Sequence, residues 1–402
     1  MGLPKSGTTF LQAMLVAHKE QLAQAGLLFP GENGWKDHVR AVRDVRQFKL
    51  RSRRTRREVP GAWDRLARQM REWPGDSILS MEWLCRAEPE QVQRILRDLA
   101  PARVEVVFTL RDLGRTIPAS WQESIQNRDQ WTWPEFWAQI ADDDPEIARP
   151  DRRFWRLHDA VALLGRWTPY VPADRIHVIT VPRAGAPPGL LWERFCGVLG
   201  VDPIRFPATQ PARNESLGVV STEMLRRVNS RTRAAGISSE THQSLIAHQL
   251  AKRGLSRRRG QEPSLTIPAD RRAWVRERAE EEIAGIRAAG VAVVGDLDEL
   301  RPDLSVGVGI QPEDLDATVL LDAALDAVAL AVRQRAEAAG RAAARTRRLD
   351  REVRRLRRQR AAAAARVRRW KTQPLRSALR HHVGRVPLAR RVVRGLRRRG
   401  VS

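Results

Sequence analysis

Short apolar runs alternate along the first 300 residues with longer stretches in which apolar positions recur every three or four residues. VEVVFTL at 104–110 and RIHVITV at 175–181 are dense in Val, Ile and Phe. That is the composition of strands buried on both faces. LLFPG after Gly26, Ile78-Leu79 within DSILSMEWL, and VAVVGDL at 291–297 predict shorter strands. Between them, FLQAMLVAHKEQLAQAG, the charged stretch 36–72, PEQVQRILRDLA, LLWERFCGVLG and TEMLRRVNSRT carry helical spacing. Gly26 sits where a left-handed cap would end the first of these helices. Strands alternating with helices predict an α/β fold, a parallel sheet flanked by helices.

From about 314 the pattern changes. Leu325, Val332 and Val353 share one heptad position, and Val328, Leu349 and Leu356 share another, with Gly340 and many alanines between. Such a seam predicts a long helix or coiled coil over 314–373, a possible homo-oligomer contact, ended by Pro374. A basic segment, 374–402, then mixes Leu and Val with Arg and is interrupted by Gly384 and Pro387. The expected organisation is therefore a domain over 1–305, a helix over 314–373 and a basic amphipathic tail over 374–402.

Charge sharpens this division. Residues 331–402 hold 25 Lys and Arg against 3 Asp and Glu, so +22 of the chain's +25 lies there and +3 is left for the first 330 residues. A tail of this kind suits an anionic membrane surface. Nucleic acid is the poorer fit, because Trp370 is the one aromatic residue in that region for bases to stack on. Two cysteines, Cys85 and Cys196, form neither a disulfide framework nor a metal-binding spacing. With no secretory signal and no apolar run of about 18 residues, the expected location is the cytoplasm, peripheral at the inner membrane face.

The opening GLPKSGTT holds the candidate chemistry. Gly2, four residues, Gly7 and then hydroxyls nearly fit a P-loop, but the lysine is Lys5, inside the loop, rather than the residue after the second glycine. Glycines let backbone N–H groups converge on an anion, and a following helix adds its dipole. Thr8 and Thr9 offer hydroxyl donors and Lys5 a point charge. The plain alternative is a helix-capping turn with a solvated lysine.

PKSGTT followed by an apolar residue resembles the 5′-phosphosulfate loop of sulfotransferases that use 3′-phosphoadenosine 5′-phosphosulfate (PAPS). GLPKSGTTFLQ is similar to a bacterial branch of that family. The resemblance implies a P-loop-like α/β domain over residues 1–305, with Lys5, Ser6, Gly7, Thr8 and Thr9 gripping the donor and Lys5 steadying the leaving oxygen. It also implies a 3′-phosphate site at the end of a later strand, where an Arg is followed eight residues on by Ser. Here Arg111 ends VEVVFTL, position 119 is Ala, and the serine is Ser120, one place late. An arginine at a strand's carboxyl end faces the crevice where open α/β sheets bind ligands; its plain alternative is a salt bridge with Asp112 or a neighbour.

The family uses His or Glu as the base that deprotonates the acceptor. Glu82, two residues past Ser80, stands where the resemblance implies a base, and Trp83 and Leu84 would raise its pKa by desolvation. His38 in FPGENGWKDHVRA is the competing base, with a surface position or an acceptor-side contact as its alternative. His158 and His177 read as structural. Within RNESLG, Arg213 is a further candidate for the 3′-phosphate, while Asn214 and Ser216 suit a phosphate, a ribose or a helix cap. Trp121, Trp131, Trp133 and Trp137 could line an acceptor site but fit a core equally well. The family also carries a short strand ahead of its loop, so an upstream start is expected, with Met1 internal.

The expected activity is transfer of a sulfuryl group from PAPS to a hydroxyl, or secondarily an amine, of a glycan, glycolipid or small metabolite, with no metal. Two alternatives stand beside it. One is a P-loop kinase or other nucleotide-binding enzyme, which the displaced lysine and missing Walker-B acid disfavour. The other is a non-catalytic membrane-associated coiled-coil adaptor built on a decayed enzyme domain.

Overall fold

The computed structural model describes residues 1–50, 53–141, 154–208, 217–242, 246, 255, 262–304 and 309–372. The chain divides into two units, Met1–Val328 and Ala329–Ser402.

The first unit is α/β, and all its strand pairings are parallel. Strands β1 (Leu27–Leu28) and β2 (Asp76–Ser77) pair with Leu27 opposite Asp76. Strands β3 (Val106–Leu110), β4 (Ile176–Thr180) and β5 (Ala292–Val294) form a second sheet in the order β3-β4-β5. Val106 lies opposite Ile176, and His177 opposite Ala292. The far edge of β3 is also used. The Met1 amino group donates to the Val107 carbonyl at 2.7 Å and the Leu3 N–H to the Thr109 carbonyl at 3.2 Å. Those contacts, two residues apart on both segments, are parallel pairing carried into the first three residues. Β-branched and aromatic side chains on β3 and β4 explain why these two strands are the longest.

Successive side chains on a strand point to opposite faces, and here they enter two separate cores. Val106, Phe108, Leu110, Ile176 and Val178 pack with Val92 and Ile95 of helix Pro89–Leu99, Leu163 and Leu164 of helix Ala160–Leu164, and Ile283 and Ile286 of helix Arg272–Ala288. Ile179 joins Leu11, Met14 and Leu15 of helix Thr8–Ala17 and Trp192 and Phe195 of helix Leu190–Leu199. Helices thus cover both faces of the β3-β4-β5 sheet, but the strands form two small parallel sheets rather than the single sheet expected. A third cluster gathers Trp121, Trp133 and Trp137 with Met224 and Leu225. These three tryptophans are at most 2% exposed, so they are core residues rather than an open acceptor lining.

Three element boundaries differ from expectation. FLQAMLVAHKEQLAQAG is two helices, Thr8–Ala17 and Lys19–Gln24, because His18 leaves helical geometry and its ring bonds the Pro207 carbonyl at 2.9 Å. Β2 falls one residue before the apolar pair at 78–79, yet the Ile78 N–H still donates to the Leu28 carbonyl at 2.8 Å. The long helix starts at Ala317 and runs 56 residues to Thr372. Its first turns bury Leu320, Ala323 and Ala327 in the tryptophan cluster, so the first unit extends past 305 to Val328. In the second unit, by contrast, Val332, Leu349, Val353, Leu356 and Val367 are all exposed. The tail 374–402 lies outside the described residues, and no helix among those described is long and apolar enough to cross a membrane.

Candidate active site

The loop Gly2–Gly7 joins the segment along β3 to helix Thr8–Ala17. Its path depends on two left-handed backbones, Lys5 at φ 67° and Gly7 at φ 82°. Gly7 suits that region; Lys5 must be held in it. Ser6 supplies the restraint. Its hydroxyl bonds the Leu3 carbonyl and lies 2.7 Å from the Thr109 hydroxyl on β3. Gly2 is required for space, since a Cβ there would lie 2.1 Å from the Thr109 hydroxyl oxygen. Gly7 N-caps the helix without a side-chain bond, and the first turn holds no acidic residue. The amides of Thr8 and Thr9 therefore begin a ten-residue helix with no intrahelical acceptor and with the positive end of its dipole. Thr9 is exposed, while Ser6 and Thr8 are buried.

Around this loop the fold gathers four charged groups from distant parts of the sequence. Lys5 Nζ pairs with Glu123 Oε2 at 3.1 Å. The Thr8 hydroxyl donates to Glu82 Oε1. Glu82 opens a short 3-10 turn, Glu82–Arg86, beyond the β2 end. Burial pushes its pKa above the usual carboxylate value; the Thr8 hydrogen bond acts the other way, Glu123 adds repulsion, and Lys5 partly offsets the shift. Arg111 follows β3 directly, and its Nη1 reaches the Lys5 carbonyl at 3.4 Å. Lys5, Ser6, Gly7, Thr8, Glu82 and Arg111 thus share one neighbourhood at the carboxyl ends of the strands.

Asp112, one of the partners suggested for Arg111 in the plain alternative, is engaged by Arg115. It caps helix Leu113–Gln126 by accepting from the Arg115 N–H at 2.9 Å and pairs with the Arg115 guanidinium. Ser120, on the same helix, bonds His158 Nε2 at 3.1 Å. His158 in turn lines a small cavity with Pro4, Ser6, Arg111, Thr116 and Glu282. Ser120 therefore meets the Arg111 cavity through a histidine. The sequence pattern marks His158 as structural and gives no sign of Glu282. Burial pushes the His158 pKa down to about 3, and its Nδ1 has no hydrogen-bond partner among the described residues. Burial, with the Asp159 and Asp112 carboxylates adding to it, pushes Glu282 up to about 8. Neither residue has a local motif to announce it. Glu123 did leave a signal: Thr116, Ser120 and Glu123 lie three and four apart, on one helix face.

His38 requires correction as a candidate base. It is fully buried; Nε2 bonds the Pro30 carbonyl at 2.9 Å and Nδ1 accepts the Ser80 N–H at 3.1 Å. Both ring nitrogens are committed, and burial lowers its pKa to about 4. A histidine so placed cannot take a proton from an acceptor. It ties Pro30, just beyond β1, to Ser80, two residues before Glu82. His177 bonds Glu105 at 2.9 Å, in keeping with a structural role. Arg213, Asn214 and Ser216 lie outside the described residues. Among the described residues no three His, Cys, Asp or Glu gather as a metal site, and Cys85 and Cys196 are free and buried.

Comparisons with protein-family models, curated proteins and solved structures gave no match.

The neutral burial of His38 makes a stability prediction. Its folded pKa lies below the ordinary 6.5, so the unfolded chain takes up the proton first as pH falls. The stabilisation is complete above about pH 6.5 and is lost on approaching pH 4. Urea unfolding of wild type and His38→Gln should show the wild-type advantage shrinking by about 3 kcal/mol between pH 7 and pH 4. A constant difference would mean that His38 titrates in the fold as it does in the unfolded chain.

Proposed function

We propose that the chain is a sulfotransferase of P-loop-like fold that moves a sulfuryl group from PAPS to a hydroxyl, or secondarily an amine, of a glycan, glycolipid or small metabolite. One observation carries this reading. The Lys5 loop, the uncapped start of helix Thr8–Ala17 and Arg111 converge at the strand ends, where Arg111 bonds the Lys5 carbonyl. Two cationic side chains beside a helix N-terminus fit a ligand that carries two anionic groups. The donor is such a ligand, with its phosphosulfate assigned to Lys5, Ser6, Gly7, Thr8 and Thr9. Its 3′-phosphate is assigned to Arg111, with Ser120 beside it and Arg213 as a further candidate.

Glu82 is the proposed base. A carboxylate with a raised pKa accepts a proton more readily than an ordinary one, and the Thr8 hydroxyl fixes one of its oxygens. As the acceptor oxygen bonds to sulfur, its proton passes to Glu82. The bond between sulfur and the phosphate oxygen breaks, and its electron pair leaves on that oxygen, where Lys5 offsets the charge. The donor already carries a good leaving group, so no metal is needed in this scheme.

The kinase alternative gains no support from the strand ends. Asp112, the acid after β3, is committed to capping and to Arg115. Beyond β5, Glu299 is held by Arg194 at 2.6 Å. For the tail 374–402 we propose an anionic membrane surface as partner, on its charge and its Leu/Val content, with the protein at the cytoplasmic face.

Calorimetry with 3′,5′-adenosine bisphosphate should show micromolar binding that weakens at least tenfold (about 1.4 kcal/mol) in Arg111→Ala. Binding of ATP–Mg²⁺ in preference would favour the kinase, and binding of neither the adaptor. In a sulfate-transfer assay against a panel of hydroxylated acceptors, Lys5→Ala should lower turnover by about 100-fold or more while leaving the circular dichroism spectrum unchanged. Wild-type turnover in that variant would remove Lys5 from the chemistry. Deleting 374–402 should abolish pelleting with phosphatidylserine vesicles; pelleting that persists would place the membrane contact elsewhere.

A further inference from the structure

The exposed face of the long helix has a composition that specifies its partner. Written as a heptad with Val332 at a, the a positions hold Val332, Ala339, Thr346, Val353, Arg360 and Val367, and the d positions hold Arg335, Ala342, Leu349, Leu356 and Ala363, so the apolar layer is densest over Leu349, Val353 and Leu356. Val332, Leu349, Val353, Leu356 and Val367 are each at least 44% exposed. β-Branched residues at a with leucine at d favour two parallel strands.

The flanking charges agree. Residues 331–402 contain only three acids, and two of them, Asp350 and Glu352, occupy e and g of the central heptad. The third, Glu337, pairs with Arg341 on its own helix. Neither Asp350 nor Glu352 forms an ion pair among the described residues. In a parallel, in-register pair, each g position meets the partner's e position five residues on. Arg345 at g then meets Asp350 of the second copy, and Glu352 at g meets its Arg357. Both contacts are attractive, and both flank the layer formed by Leu349, Val353 and Leu356. Of the remaining arginines most fall at b, c and f, facing solvent, while Arg335 at d and Arg360 at a flank the central layer on the N-terminal and C-terminal sides.

We propose that residues 332–367 are the seam of a parallel, in-register, two-stranded coiled coil between two copies of this chain, independently of any catalytic reading. The high positive charge of each helix opposes association, so salt strengthens the dimer by screening Arg–Arg repulsion.

Sedimentation of the full chain at tens of micromolar should give twice the monomer mass at 0.5 M NaCl; a monomer there overturns the proposal. Leu349→Lys with Val353→Lys should give a monomer with unchanged circular dichroism, and a persistent dimer would place the contact elsewhere. Orientation is read by oxidation. Leu356→Cys should cross-link to itself as a covalent dimer, whereas Arg351→Cys, at f, should not. A dimer in which Leu356→Cys fails to cross-link is not parallel and in register, which also overturns the proposal.

Discussion

Two hydroxyls packed 2.7 Å apart, Ser6 on the loop and Thr109 on β3, hold the candidate site to the sheet. Lys5 and Gly7 both take left-handed backbone, which costs free energy at a non-glycine residue. The cost is sustained because the Leu3 N–H is bonded to the Thr109 carbonyl and the Ser6 hydroxyl returns to the Leu3 carbonyl. Gly2 leaves the room for this, since any larger residue would strike Thr109. The conformation that brings the Lys5 carbonyl to Arg111 and the Thr8 hydroxyl to Glu82 is thus imposed from β3.

A second restraint acts on the opposite wall. His38 holds the Pro30 carbonyl with one nitrogen and the Ser80 amide with the other. The turn bearing Glu82 is therefore fixed to the helix Trp35–Val45 that carries His38. Glu82 and Lys5 are positioned by different parts of the chain, and their encounter depends on both restraints being rigid.

Much of the fold was legible because period-2 and period-3.6 patterns report burial directly. VEVVFTL and RIHVITV became β3 and β4 to within two residues at either end, and the Val106–Phe108–Leu110 alternation supplied one core. The loop was legible because its glycines, lysine and hydroxyls are contiguous. Glu82 stood out by its place after an apolar run, and its burial was inferred from the residues beside it. What escaped were side chains whose importance arises through contacts distant in sequence. His158 meets Ser120 across 38 positions, and Glu282 reaches the same cavity from helix Arg272–Ala288. His38 misled for the same reason: the helix around it is charged, and nothing local shows that its own face lies beneath Phe29 and Ser80.

The Lys5–Glu123 ion pair changes how this site answers ionic strength. A bare lysine that captures an anion loses affinity as salt screens the attraction. Here the lysine is already satisfied by a carboxylate that is 46% exposed, so capture is an exchange of one anion for another. Salt weakens the bond that must break as well as the bond that forms. For an anionic ligand that took the place of Glu123, the lysine's contribution to affinity would thereby be buffered against ionic strength.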